Sequence, residues 1–349
     1  MLDERTRRVL HAVVQSYIGK PEPVGSRFVT KRYSIGFSPA TIRNVMADLE
    51  ELGFLMQPHT SAGRIPTDKG YRFYVDSLRV ERIDATEELP REFARQYAGR
   101  LERMKSDINL MFAEVTQTLS AMSSYIGVAL PPKPERTTFS RIDLLRYRGG
   151  SAVALLVTEE GVIKNKILQM GQDLSQGDLN RIADYLNAEY GGKTLDEMRS
   201  LIVAKMSAEK NLCDNLITRA IHICEQAIHF ADEDVFVSGF YDVMNLPDFS
   251  DIAKIKELSR AIRDKHLILR LLQELSEAEG VQVLIGDENP VAELRRLSVV
   301  ASTYKEGNRP MGVIALIGPT RMNYPRAISM VEAIAKCISG TFENYHHLR

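Results

Sequence analysis

Tryptophan is absent from this 349-residue chain, and cysteine occurs three times, at Cys213, Cys224 and Cys337. No two of them are closely paired, which argues against a disulfide framework or a paired-thiol metal clip. Cys213 and Cys224 stand about three helical turns apart, a spacing that suits two small buried side chains. Long apolar runs are missing as well: none approaches the roughly 18–20 residues that cross a bilayer. The opening residues Met1-Leu2-Asp3-Glu4-Arg5 lack the charged-then-apolar order of an export signal. Neither sign of charge dominates, since 45 Lys and Arg meet 46 Asp and Glu for a net charge of −1. A cytoplasmic protein with no membrane partner is expected, long enough for two or three domains.

Catalytic signatures are scarce. The chain has no H-E-x-x-H, no G-x-S-x-G, no C-x-x-C and no strand-borne G-x-G-x-x-G. Gly192-Lys193-Thr194 resembles the end of a phosphate-binding loop, but Asn187 stands where that loop needs its first glycine. A helix tail also precedes it where a strand is required, so it reads as a turn. His346 and His347 sit at the C-terminus, where surface residues fray. No catalytic residue, metal or cofactor is expected, and the chain does not read as an enzyme.

What is present begins with Ser38-Pro39. A serine hydroxyl can cap free amides, and proline suits the first helical position because it has no N–H to lose. Ile42, Val45, Met46, Leu49 and Leu52 then recur at three- and four-residue steps and define one buried face. Gly53 permits the left-handed conformation that closes the helix. Thr41, Arg43 and Asn44 fall off that stripe, and such groups bond base edges or phosphates in a major groove. An ordinary amphipathic helix with a polar outer face has the same pattern.

The flanks favour a nucleic-acid reading. A helix over Arg7–Tyr17 and a short one over Ser26–Tyr33, with Ser26 as its cap, precede the turn Ser34-Ile35-Gly36-Phe37. After the Ser38 helix, residues 54–57 and 64–66 can pair around a tip at 58–63. Three helices and a hairpin in this order make a winged helix-turn-helix. Residues 1–75 carry eleven basic and seven acidic side chains, a net +4 in a near-neutral chain. The candidate DNA-binding residues are Ser38, Thr41, Arg43, Asn44, His59, Arg64 and Lys31. Arg64 is expected to face phosphates from the wing strand. His59 and Lys31 also suit a turn residue and a solvated helix end.

Beyond residue 80 the charged stretch to Pro90 reads as a link. A helical pattern from Glu92 to Met122 suggests one long coupling helix, or the first helix of the next domain. Strand signals follow at 125–130, 138–147, 152–157 and 162–168, an expected antiparallel meander of about four strands. Helical spacing covers 174–190, 195–206 and 208–231, a strand signal covers 234–240, and 252–279 is helical again. Strands resume at 281–285, 297–304 and 311–317 before a closing helix from Tyr324 to Phe342. Strands, a helical block, then strands again suggest one α+β domain interrupted by an insertion. Gly318-Pro319-Thr320-Arg321-Met322 could shape an anion pocket around Arg321, or make a sharp connection with Arg321 in an internal ion pair.

Several runs also resemble a known family. Pro23-Val24-Gly25-Ser26, Ser38-Pro39-Ala40-Thr41-Ile42-Arg43-Asn44, Leu49-Glu50-Glu51-Leu52-Gly53 and Pro58 through Thr67 follow one another, continuing into Asp68-Lys69-Gly70-Tyr71-Arg72. With Gly318–Met322 and Tyr324, they resemble the HrcA family of bacterial heat-inducible transcription repressors across nearly the whole chain. The resemblance implies a winged-helix domain over 1–80 and a linker with coupling helix over 81–122. It implies a GAF-like domain in two parts, 123–171 and 266–349, around an inserted dimerising domain at 172–265. It also implies repression of chaperone operons by a homodimer on an inverted-repeat operator in double-stranded DNA, with activity dependent on the GroEL chaperonin. The alternative is a regulator gated by a small molecule bound in the C-terminal domain.

Overall fold

The computed structural model describes every residue except 1, 60–61, 81–90, 105–106, 133–137, 160–162, 171–173, 196, 199, 202–234, 277, 279 and 344–349. Three helices open it: α1 (Glu4–Gly19), α2 (Ser26–Arg32) and α3 (Pro39–Glu51). Asp3 caps α1 by accepting from the Thr6 amide at 2.8 Å. Ser38 caps α3 by accepting from the Thr41 amide at 3.1 Å. Ser26 does not cap α2; it is the first helical residue, and Gly25 holds the cap position without a side-chain bond. Val9, Leu10, Val13, Val29, Ile42, Val45 and Leu49 are buried together where the three helices meet. Gly53 closes α3 at φ +77°. Strands β1 (Leu55–Met56) and β2 (Ile65–Pro66) pair antiparallel, and α4 (Asp68–Val80) follows.

The expected long coupling helix is two helices, α5 (Arg91–Met104) and α6 (Ile108–Ser123). The physical reason is Asp107, whose side chain accepts from the Leu110 amide at 3.0 Å and starts a new helix in extended conformation.

The expected four-strand meander divides between two sheets. Strand β3 (Ile126–Leu130) joins β7 (Phe236–Ser238), β8 (Val281–Ile285), β9 (Leu297–Glu306) and β10 (Arg309–Pro319) in the order β7-β3-β10-β9-β8, all antiparallel. Strands β4 (Phe139–Tyr147), β5 (Ser151–Thr158) and β6 (Ile163–Gln169) form a separate antiparallel sheet. It packs on α7 (Gln176–Tyr190) through Phe139, Ile142, Leu156, Leu179 and Leu186. Sheet membership therefore changes between β3 and β4, not near residue 171, and changes back at β7. Local alternation marks a strand but carries no information about which distant edge it pairs with.

Both faces of the five-stranded sheet are covered, so β10 is buried throughout from Met311 to Pro319. On one face Val313, Ala315 and Ile317 meet α9 (Ile252–Arg263) and α10 (Lys265–Ser276), which follow the short α8 (Phe240–Met244). The expected single helix over 252–279 breaks at Asp264, which leaves helical geometry with ψ 90° and accepts from the His266 amide at 3.1 Å. On the other face Ile314 and Leu316 meet the closing helix α11 (Tyr324–Glu343) and the core of the N-terminal helices in one continuous apolar cluster. Cys337 is half-buried on α11, and burial pushes its thiol pKa upward. Cys213 and Cys224, with the helical spacing at 208–231, lie outside the described residues.

Candidate nucleic-acid interface

The short turn between α2 and α3 sets the site. Ile35 is buried, which pins the turn to the core, and Gly36 takes φ +78°, a region few side chains adopt. The turn delivers the chain to Ser38, whose hydroxyl meets both the Thr41 amide and, at 2.9 Å, the Thr41 hydroxyl. Ser38 and Thr41 therefore satisfy each other, and their first task is to hold the helix start. Arg43 and Asn44 are exposed on the side of α3 opposite Ile42, Val45, Met46 and Leu49. Lys31 is exposed in the last turn of α2, and His59 is exposed at the hairpin tip. Thr60 and Ser61 lie outside the described residues.

Arg64 differs from its sequence reading. Its Nη2 lies 2.7 Å from the Glu50 carboxylate, and its side chain is 20% exposed. The guanidinium is thus turned onto the end of α3 and not outward. Arg321 is likewise internal: Nε donates to Asp248 Oδ1 at 2.8 Å, and Nη1 donates to the Ile18 carbonyl at 3.1 Å. With the side chain 11% exposed, it joins α1 to the body of the chain and settles the sequence alternatives for the Gly318–Met322 run in favour of an ion pair.

Two cations near the turn escaped the sequence reading. Arg5 lies over the Phe37 ring at 5.7 Å, and Arg8 reaches toward the Ser34 carbonyl at 3.4 Å. The signal was their three-residue spacing on the polar side of α1. Lys31, Arg43, Arg5 and Arg8 are thereby distributed over α1, α2 and α3, a charge pattern suited to a phosphate backbone. Among the described residues no group of three or more His, Cys, Asp or Glu is placed to hold a metal ion. No helix there is long and apolar enough to cross a membrane.

Comparison with known proteins fixes the family. Residues 109–328 match the family model described as the HrcA protein C terminal domain. The chain belongs to the HrcA family. A curated relative from Thermodesulfovibrio yellowstonii, named heat-inducible transcription repressor HrcA, is 46% identical over 344 residues and is spanned to 99% in both chains. One of the same name from Geobacter sulfurreducens is 39% identical, with 98% of each chain covered. Among solved structures, one titled as a hypothetical protein at 2.2 Å resolution aligns with a TM-score of 0.66 and 26% identity. It covers 99% of this chain and 100% of its own, so this HrcA-family fold recurs over the full length.

Proposed function

We propose that this chain is a transcription repressor that binds double-stranded DNA sequence-specifically through a winged helix, with α3 as recognition helix and the β1–β2 hairpin as wing. The observation that carries the reading is the Ser38-capped helix whose Arg43 and Asn44 are exposed off its buried stripe. Arginine donates in pairs to guanine, and asparagine pairs with adenine, at major-groove edges. Lys31 and His59, both exposed, flank α3 and suit phosphate contacts; Ser38 and Thr41 act by fixing the helix start.

Two copies are needed to read an inverted repeat. The outer face of the β4–β6 sheet supports a homodimer, because Leu145, Ile163 and Ile167 are each about half exposed there, with Val153 and Ile167 directly paired across strands. We assign the inserted dimerising unit to the separate sheet and α7, and the GAF-like unit to the five-stranded sheet, a division that the two sheets support. The names of the relatives support control by heat, and with the family resemblance they lead us to place the operator upstream of chaperone operons. The GroEL chaperonin would maintain the binding-competent population, and unfolded protein would withdraw it on heating.

Fluorescence anisotropy on two labelled duplexes at matched salt tests the proposal. One carries the chaperone-operon inverted repeat and the other a scrambled sequence, each with and without GroEL. Preference for the repeat by about a thousandfold, with an active fraction that rises with GroEL, is expected. Equal, salt-sensitive binding to both would reduce the chain to a generic DNA-binding module.

A further inference from the structure

We infer that Arg64 is a positioning residue, one that locks the wing to the recognition helix through Glu50 and does not itself neutralise a phosphate. The inference rests on the DNA-binding reading above. Its ground is that three parts of the interface meet at this residue. Through its backbone Arg64 exchanges two hydrogen bonds with Val24, each 2.9 Å, which tie the wing to the segment leading into α2. Next to it, Ile65 pairs with Met56 of β1. Through its side chain it reaches Glu50 in the last turn of α3 at 2.7 Å.

The surroundings leave the guanidinium little freedom. Arg64 and Glu50 side chains are 20% and 33% exposed, and Arg64 Nε is buried without an acceptor among the described residues. Turning outward to a phosphate would strand the Glu50 carboxylate in a partly buried place, and separating such a pair is unfavourable. The strand itself cannot slide. A Cβ at Gly63 would overlap the Val24 carbonyl, and Gln57 Nε2 donates to the Ala62 carbonyl at 2.9 Å. The wing angle relative to α3 is therefore set before DNA arrives. That matters because the helix must enter a major groove while the wing meets the neighbouring backbone, and groups ordered beforehand need no ordering on binding.

The test compares Glu50→Gln, Arg64→Ala and the charge-swapped Glu50→Arg with Arg64→Glu on both duplexes over a salt series, at temperatures well below each variant's melting. A positioning role predicts that Glu50→Gln and Arg64→Ala each weaken binding by a similar factor, roughly threefold to tenfold. It predicts a salt slope that Arg64→Ala leaves unchanged, and partial recovery in the swap. A phosphate contact predicts the opposite: Glu50→Gln unchanged or tighter, Arg64→Ala with a slope shallower by about one ion, and the swap worse than either single change. Those results overturn the inference. Equal binding of the unaltered chain to both duplexes overturns the repressor reading, while the slope of Arg64→Ala still decides the residue's role. No duplex binding at all overturns both.

Discussion

Arg72 on α4 is bonded to Glu288 beyond the end of β8, with Nε donating to a carboxylate oxygen at 2.7 Å and Nη2 donating to the Val283 carbonyl at 2.6 Å. The two residues are far apart in sequence, so this contact, with the Arg321–Ile18 bond, makes the N-terminal unit a packed part of the body. The shared apolar cluster from Val9 to Tyr324 says the same in hydrophobic terms.

Arg72→Ala is expected to lower stability by about 1 kcal/mol, a value discounted because the two side chains are 26% and 36% exposed. Urea unfolding at low and high salt checks it. The loss should shrink with salt, and an unchanged midpoint at low salt would remove the contact from the account.

Asp68 gives a pH-dependent counterpart. Burial raises its carboxyl pKa, and Asp287 and Glu288 add to the effect despite a hydrogen bond from the Asp287 amide. Between the ordinary and the raised pKa, the folded chain holds more protons than the unfolded one, so stability falls as pH rises through that window. Asp68→Asn lacks this loss. Its melting temperature relative to the parent should climb with pH across the window and then level; a pH-independent difference would refute the assignment.

Tyr71 and Tyr324 have rings 5.9 Å apart but hydroxyls in opposite circumstances. The Tyr71 hydroxyl is buried with no hydrogen-bond partner among the described residues, whereas that of Tyr324 meets Ser298 at 2.8 Å and donates to the Thr320 carbonyl. Tyr71→Phe should leave stability unchanged or raise it by up to about 1 kcal/mol, and Tyr324→Phe should lower it by about 1–2 kcal/mol. Chemical denaturation of the two variants side by side should give that order.

Arg43→Ala and Asn44→Ala are each expected to weaken binding to the inverted repeat by about 1–3 kcal/mol while sparing the scrambled duplex. Anisotropy titrations on both duplexes measure it. Equal losses on the two would move base recognition off this face of α3.

Gly63→Ala should destabilise by about 1–3 kcal/mol, because its methyl group would meet the Val24 backbone, which cannot rotate away as a side chain could. Hydrogen exchange at the Val24 and Arg64 amides would show the bridge opening; unchanged protection would contradict the packing described.

Local signals were legible wherever the physics is local. The Ser38 cap, the closing Gly53 and the α3 stripe from Ile42 to Leu49 follow from neighbours within a turn or two and stand where periodicity placed them. Leu52, expected on the same buried face, is half exposed, because the helix ends at Glu51 and Leu52 is its C-cap. The strand positions from Ile126 to Gln169 were readable for the same reason. Their division between two sheets was not, because β3 pairs with β10 and β7 across long stretches of chain. Asp107 and Asp264 broke two expected helices, since a short aspartate both caps a new helix and fits the periodic pattern of a continuing one.

The amino-acid order by itself determined which segments form helices and strands, which side of α3 is apolar, and where positive charge gathers. Those properties depend on spacing, capping and backbone freedom within a few residues. Tertiary structure alone decided that Arg64 turns to Glu50, that Arg321 binds Asp248 and Ile18, and that α4 rests on β8. A charged side chain shows its chemistry in sequence, but its partner is chosen by whichever distant backbone the packed core brings within about 3 Å.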